Sequence, residues 1–153
     1  MIITNVELND LEDIFNLQGT IFKEEPLLTY LPYFNDVITL EDLQNSYNKY
    51  DFLKAVEEDG SISGVICGYE SNNTINILAV IVKKEKRNKG IGRKLVFAIE
   101  HLYPNVRSEI QTPNSMPKNT AFYESMGYVK CKQLELDNHE IISTFEKLRE
   151  LPI

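Results

Sequence analysis

The sequence predicts an α/β protein of the α+β kind, a mixed sheet covered by helices, and three observations carry that expectation. Two strand-like runs, DFLKAVEE and SISGVICGYE, are joined at Asp59-Gly60, a dipeptide suited to tight hairpin turns because both residues tolerate positive φ. NTINILAVIV at 73 to 82 is a β-branched run too continuous to leave one face in water, which marks a central strand. Shortly after it, Ile91, Leu95, Ala98, Ile99 and Leu102 recur on one stripe of a helix.

The remaining elements follow in chain order. MIITNVEL reads as a first strand, and Asn9 or Asp10 can cap a helix with Leu11, Ile14, Phe15 and Leu17 at helical spacing. Residues 20 to 38 hold Pro26, Pro32 and several aromatics, which predicts loop or short helix. Thr39 offers an N-cap with Asp42 three residues on, for a helix through about Tyr47. Asn72 and Asn73 form the turn into the central strand. Beyond the helix of 90 to 102, which Pro104 stops, VRSEIQT reads as a strand, PKNTAFYESM as a helix closed by Gly127, and GYVKCKQLEL as a strand. HEIISTFEKLREL has both helical and alternating character, and its periodicity leaves helix and strand open.

Length and composition fit one domain over residues 1 to 153, since 153 residues with 42% hydrophobic and 25% charged content bury an ordinary core. No apolar run approaches the roughly 18 to 20 residues that span a bilayer, and MIITNVELND lacks the basic and apolar regions of a signal peptide. A cytoplasmic protein without membrane association is the expectation. Cys67 and Cys131 are far apart and belong to no Cys/His cluster, so no metal is expected and each reads as a small buried hydrophobe on a strand.

The net charge of −7 conceals a polarity along the chain. Residues 1 to 75 carry 14 acidic and 3 basic residues, whereas residues 76 to 153 carry 9 acidic and 13 basic ones, and 7 of those cations lie between Lys83 and Lys94. One half suits a cation and the other an anion. The overall negative charge and the confinement of the cations to one loop argue against a nucleic-acid partner.

Arg87-Asn88-Lys89-Gly90-Ile91-Gly92 follows the central strand and opens a helix, where unpaired N–H groups can bind phosphate and glycines allow close approach. Neither a Walker A loop nor the GxGxxG of a dinucleotide fold is present. LAVIVKKEKRNKGIGRKLV at 78 to 96 resembles the acetyl-CoA motif R/Q-x-x-G-x-G/A of the GNAT superfamily, and NTAFYESMGY at 119 to 128 resembles its second motif. Locally, SEIQTPN at 108 to 114 is similar to a strand of ribosomal-protein N-terminal alanine acetyltransferases.

The resemblance implies a GNAT fold, with a mostly antiparallel sheet splayed at the cofactor site, and an N-acetyltransferase moving an acetyl group from acetyl-CoA to a primary amine. It implies that Val80, Ile81 and Val82 contact the acyl end of the cofactor through backbone groups, and that Arg87, Asn88, Lys89, Gly90, Ile91, Gly92 and Arg93 cradle the pyrophosphate. Lys84 stands where many members have proline. Tyr123 matches the family's general acid for the departing thiolate. Glu109 falls where the alanine acetyltransferases place a glutamate base. Asn114 is a cofactor contact by the same comparison, with Asn119 competing because the interval from Asn114 to Tyr123 is two residues longer than in that pattern. The histidines His101 and His139 are isolated. The acceptor, a small molecule or a protein, is expected to meet Phe22, Glu24, Glu25, Tyr30, Tyr33, Phe34 and Tyr47, acids and aromatics that suit a cationic amine. A monomer or homodimer is expected, and the alternative activity is a non-catalytic acyl-CoA-binding regulatory domain of the same fold.

Overall fold

The structure, a computed structural model, describes residues 1–104 and 106–149. Seven strands form one sheet: β1 (Ile2–Asn5), β2 (Asp51–Val56), β3 (Ile62–Ser71), β4 (Thr74–Val82), β5 (Arg107–Pro113), β6 (Val129–Glu135) and β7 (Ile141–Lys147). Their spatial order is β1-β2-β3-β4-β5-β7-β6. Every neighbouring pair is antiparallel except β4 and β5. That exception needs a crossover connection, which the loop after Val82 and helix α4 (Ile91–Leu102) supply.

Strand alternation gives the sheet two apolar faces. Val65, Cys67, Ala79 and Ile81 pack with Ile14, Ile21, Leu28, Phe34 and Leu43 from α1 (Leu11–Glu24), α2 (Pro32–Asp36), α3 (Leu40–Lys49) and the turns between them. On the other face Ile66, Ile75, Ile77, Ile110 and Phe145 pack with Leu95 and Ile99 of α4 and Tyr123 of α5 (Pro117–Ser125). Burial of apolar area at about 25 cal/mol per Å2 drives both layers.

Several expectations are met in detail. Thr39 Oγ1 accepts from Asp42 N at 3.1 Å while the Asp42 carboxylate accepts from Thr39 N at 2.9 Å, a complete capping box. Asn72 and Asn73 adopt φ of 54° and 56° in the turn before β4. At Asp59-Gly60 only Gly60 has positive φ, 87°, because the Asp59 carboxylate accepts from Ser61 N and Oγ and closes a longer turn.

Other elements differ from the expectation. Helix α1 continues to Glu24, further than its early apolar positions indicated, because Gln18 and Ile21 carry its buried face on by another turn. Asp10 makes no side-chain cap; its carboxylate instead accepts from Lys54 Nζ at 2.6 Å. The ambiguous last segment is a strand over residues 141 to 147, since residues 142 to 146 have pairing partners on both sides; residues 150 and 151 lie outside the described ones. Cys67 is buried as expected, but Cys131 is exposed, because every residue of the edge strand β6 is exposed.

Candidate active site

The site forms where the two parallel strands part. Pairing of β4 with β5 runs from Thr74↔Arg107 to Ile77↔Ile110 and stops. Beyond it β4 continues against β3 alone, to Val82, and β5 continues against β7 alone, to Pro113. A bulge causes the divergence: Gly68 pairs with Ile77 and Cys67 with Ala79, so Leu78 is an extra residue that bends β4 away from its partner. The splay therefore leaves main-chain groups of Leu78 to Val82 without a strand on the β5 side.

A cavity of about 500 Å3 fills the gap. Leu78 to Val82 form one wall, Ile110 to Thr112 the opposite one, and Phe122 and Tyr123 the floor. At one end lie Arg87, Asn88, Gly90, Ile91, Gly92 and Arg93, and at the other Ile21, Glu25, Leu28, Leu31 and Phe34. Lys89 does not line it.

Local backbone conformation shapes the loop end. Asn88 and Gly90 take φ of 63° and 81°, the left-handed region, and Gly90 serves as N-cap of α4. Among the described residues the amides of Asn88 to Arg93 find no acceptor, while Lys94 N is the first to bond back, to Gly90 O at 3.1 Å. Six free amides with the positive end of a helix dipole form an anion site. Gly92 packs closely on Phe122: a Cβ there would lie 3.2 Å from Phe122 Cζ, so the ring would have to shift by a few tenths of an ångström. Lys86, Arg87, Arg93 and Lys118 add four cations to the cavity wall.

Tyr123 is 6% exposed and stacks at a tilt with Phe122. Burial pushes its phenol well above the ordinary tyrosine range, and the charge of Glu25 adds to the rise. The phenol therefore keeps its proton at neutral pH, as a general acid must.

Glu109 lies elsewhere. It borders a second cavity of about 510 Å3, with Asp36, Asp42, Tyr33, Tyr50 and Tyr69, which meets the first at Leu78 and Gln111. Its carboxylate is held by Arg107 at 2.5 Å, and Arg107 also holds Glu146 at 2.6 Å. In the first cavity the single carboxylate among the described residues is that of Glu25. Asn119 lines the first cavity and bonds Thr112 Oγ1 at 3.4 Å, whereas Asn114 is turned to Lys130 and Ser143. Phe34 reaches the first cavity and Tyr33 the second, while Phe22 stacks edge-on against Phe34 and Tyr47 packs near Phe52.

The comparisons agree with this geometry. The profile described as Acetyltransferase (GNAT) domain matches residues 23–146. The chain belongs to the GNAT acetyltransferase family. Its activity is transfer of an acetyl group from acetyl-CoA to an amine. Among solved structures the GNAT chain is similar to a mutant spermidine N-acetyltransferase from Vibrio cholerae at 18% identity, over 97% of this chain and 95% of that one, with a TM-score of 0.75. An aminoglycoside 6'-N-acetyltransferase complexed with coenzyme A matches at 17% identity over 96% of both chains, with a TM-score of 0.76. The ribosomal-protein-S18-alanine N-acetyltransferase from Escherichia coli matches at 12% identity over 99% and 96%, with a TM-score of 0.74. No curated protein matches the chain in sequence.

The donor set fits acetyl-CoA: free amides and cations for the pyrophosphate, and a slot between splayed strands for the acyl arm. No helix among the described residues is long and apolar enough to cross a membrane.

Proposed function

We propose that this GNAT domain, spanning the whole chain and working in the cytoplasm, acetylates a primary amine on a small cationic molecule or a protein N-terminus. The observation that carries the reading is the parting of β4 from β5 beyond Ile77, directly between six free amides and Tyr123. Bound acetyl-CoA supplies the activated acyl group as a thioester. The amides of residues 88 to 93, with Arg87 and Arg93, hold its pyrophosphate, and Asn119 contacts its arm. The main-chain groups that Val80 to Val82 turn toward the gap, away from β3, orient the acyl end and offer N–H donors to its oxygen. Tyr123 Oη holds the proton that the sulfur receives.

The acceptor arrives as an ammonium and loses a proton before it attacks. Glu109 was the sequence's choice for that proton, but it is held by Arg107 and faces the second cavity. Glu25 shares the first cavity with Tyr123, and our reading assigns the proton to its carboxylate. The second cavity, with Asp36, Asp42 and Glu109 against the single cation Lys49, then receives the body of a cationic acceptor through the junction at Leu78 and Gln111.

Coenzyme A release with spermidine, an aminoglycoside and an alanine-terminated peptide as acceptors tests the assignment. With whichever is acetylated, Glu25→Gln should lower kcat by about 10² or more. Glu109→Gln should act mainly on KM. The reverse pattern would return the proton to Glu109.

A further inference from the structure

Arg87 reaches from the loop end of the first cavity to the end that holds Glu25. Its Nη1 lies 3.4 Å from Glu25 Oε1 and its Nη2 3.7 Å from Glu24 Oε2, both on the acceptor side. Its Nε donates to Val82 O at 3.2 Å, which ties the same guanidinium to the end of the splayed strand. Yet Arg87 also begins the loop whose free amides form the anion site. One cation thus stands between two claimants, a pair of carboxylates on α1 and the turn after it, and a pyrophosphate at α4.

We propose that Arg87 changes partners when acyl-CoA binds, leaving the Glu25 carboxylate for the pyrophosphate and so freeing it for the ammonium of the acceptor. This rests on the function proposed above. The exchange is favoured because a pyrophosphate offers several charged oxygens to a planar guanidinium, and bidentate pairing with such groups is stronger than a single contact at 3.4 Å. The pairs it gives up are weak: all three side chains are about a third exposed, at 32%, 30% and 29%, so solvent screens them. The Glu25 carboxylate already lines the cavity beside Arg87. Glu25 also lies close enough to Tyr123 for its charge to bear on the phenol, which places the freed carboxylate beside the group that serves the leaving sulfur.

The chemical consequence is an order of events. Before the cofactor arrives, Glu25 is neutralised by Arg87, and Lys86, Arg93 and Lys118 on the cavity wall repel an ammonium. With Arg87 on the pyrophosphate, Glu25, the single carboxylate lining the cavity among the described residues, would face the incoming amine without a competing partner. The amine then gives one proton to Glu25, its nitrogen forms the bond to the acyl carbon as the carbon–sulfur bond breaks, and the sulfur takes the Tyr123 proton. Tyr123 recovers its proton from the new amide nitrogen, and Glu25 returns its own to solvent. Cofactor binding therefore precedes productive acceptor binding.

Coenzyme A itself is the probe that tests this, because its binding requires no knowledge of the acceptor. Dissociation constants are measured calorimetrically at low salt for the wild type, Glu25→Gln, Arg87→Gln and the double variant. Glu25→Gln should bind coenzyme A two- to fivefold more tightly, since Arg87 no longer has to leave a partner. Arg87→Gln should bind more weakly, and in that background Glu25→Gln should change the affinity by less than 1.5-fold. Pantetheine, which lacks the pyrophosphate, should bind wild type and Glu25→Gln alike, and this arm serves if the arginine variant does not fold. An unchanged affinity in Glu25→Gln overturns the exchange, as does equal tightening with Arg87 absent, which would mean only that a negative charge had been removed from an anion site. A wild type that binds no coenzyme A at all would instead overturn the function on which the exchange rests.

Discussion

The two ends of the active-site cavity are made by different means. The loop end, where we place the pyrophosphate, is largely local: residues 87 to 93 supply the amides, the left-handed turns at Asn88 and Gly90, and two of the four lining cations, all within one loop and the first turn of α4. The acceptor end is assembled from distant pieces. Ile21 and Glu25 come from α1 and its end, Leu28 and Leu31 from the turn that follows, and Phe34 from a five-residue helix, the apolar four sharing one core cluster with residues of β3 and β4. A site built from backbone conformation within a few residues is written as a motif; one built from packing is not.

Substitutions at the two ends, and at Tyr123 between them, should separate these contributions. The largest effect is expected at Tyr123. Tyr123→Phe keeps the buried ring and removes only the phenolic proton, so kcat should fall by about 10² to 10⁴. Acetyl-CoA affinity should stay within about twofold, because the phosphate end is untouched. Unchanged turnover would remove Tyr123 as the acid and leave it as packing alone.

A smaller effect belongs to the loop. Gly90 has φ of 81°, and a β-branched side chain there costs about 1 to 2 kcal/mol. Gly90→Val should lower stability by that amount in a denaturant titration and weaken acetyl-CoA binding by about tenfold, with no effect on how a bound complex discriminates acceptors. An equal loss of affinity for pantetheine would show that the loop serves the acyl arm rather than the pyrophosphate.

The smallest expected effect concerns the tyrosines packed on the two faces of the sheet. Burial raises the phenols of Tyr33, Tyr123 and Tyr128 well above their ordinary range, and the hydrogen bond to Asp51 is the main cause that pushes Tyr103 up to about 12. A raised value in the folded state means that the unfolded chain ionises first. The stabilising contribution is complete below about pH 10 and is lost as pH rises above it. Melting temperature should therefore decline from pH 10 upward, together with the tyrosinate absorbance, while staying level between pH 7 and 9. Full tyrosine ionisation before unfolding would contradict the burial of these rings.

The same contrast explains what could be read from sequence. Asp59-Gly60, the continuous run of β4, the Thr39–Asp42 capping box and the stripe on α4 are local or periodic signals, and each led to the right element. The position of the 87 to 93 loop at the start of α4 was legible for the same reason, and the roles proposed for it and for Tyr123 rest on their motifs. The splay itself was expected only through the family resemblance, because a single extra residue at Leu78 leaves no mark on a run of alternating apolar residues. The last strand was ambiguous because its apolar residues satisfy both periods until the partners β5 and β6 are known. Nor could the sequence show that Arg107 would hold Glu109, two residues away on the same strand, or that Glu25 would face Tyr123 nearly a hundred residues on. Cys131 was misread because exposure of an edge strand depends on what fails to cover it.

The central claim is that the cavity between β4 and β5 binds acetyl-CoA through its loop, and a thermal melt of the purified protein with and without the cofactor tests it most directly. At 100 times its dissociation constant a ligand stabilises by about 2.7 kcal/mol, which is roughly 5 to 10 °C for a domain of this size. A shift of that order, reduced in Gly90→Val, is the predicted result. No shift at millimolar acetyl-CoA would contradict the account.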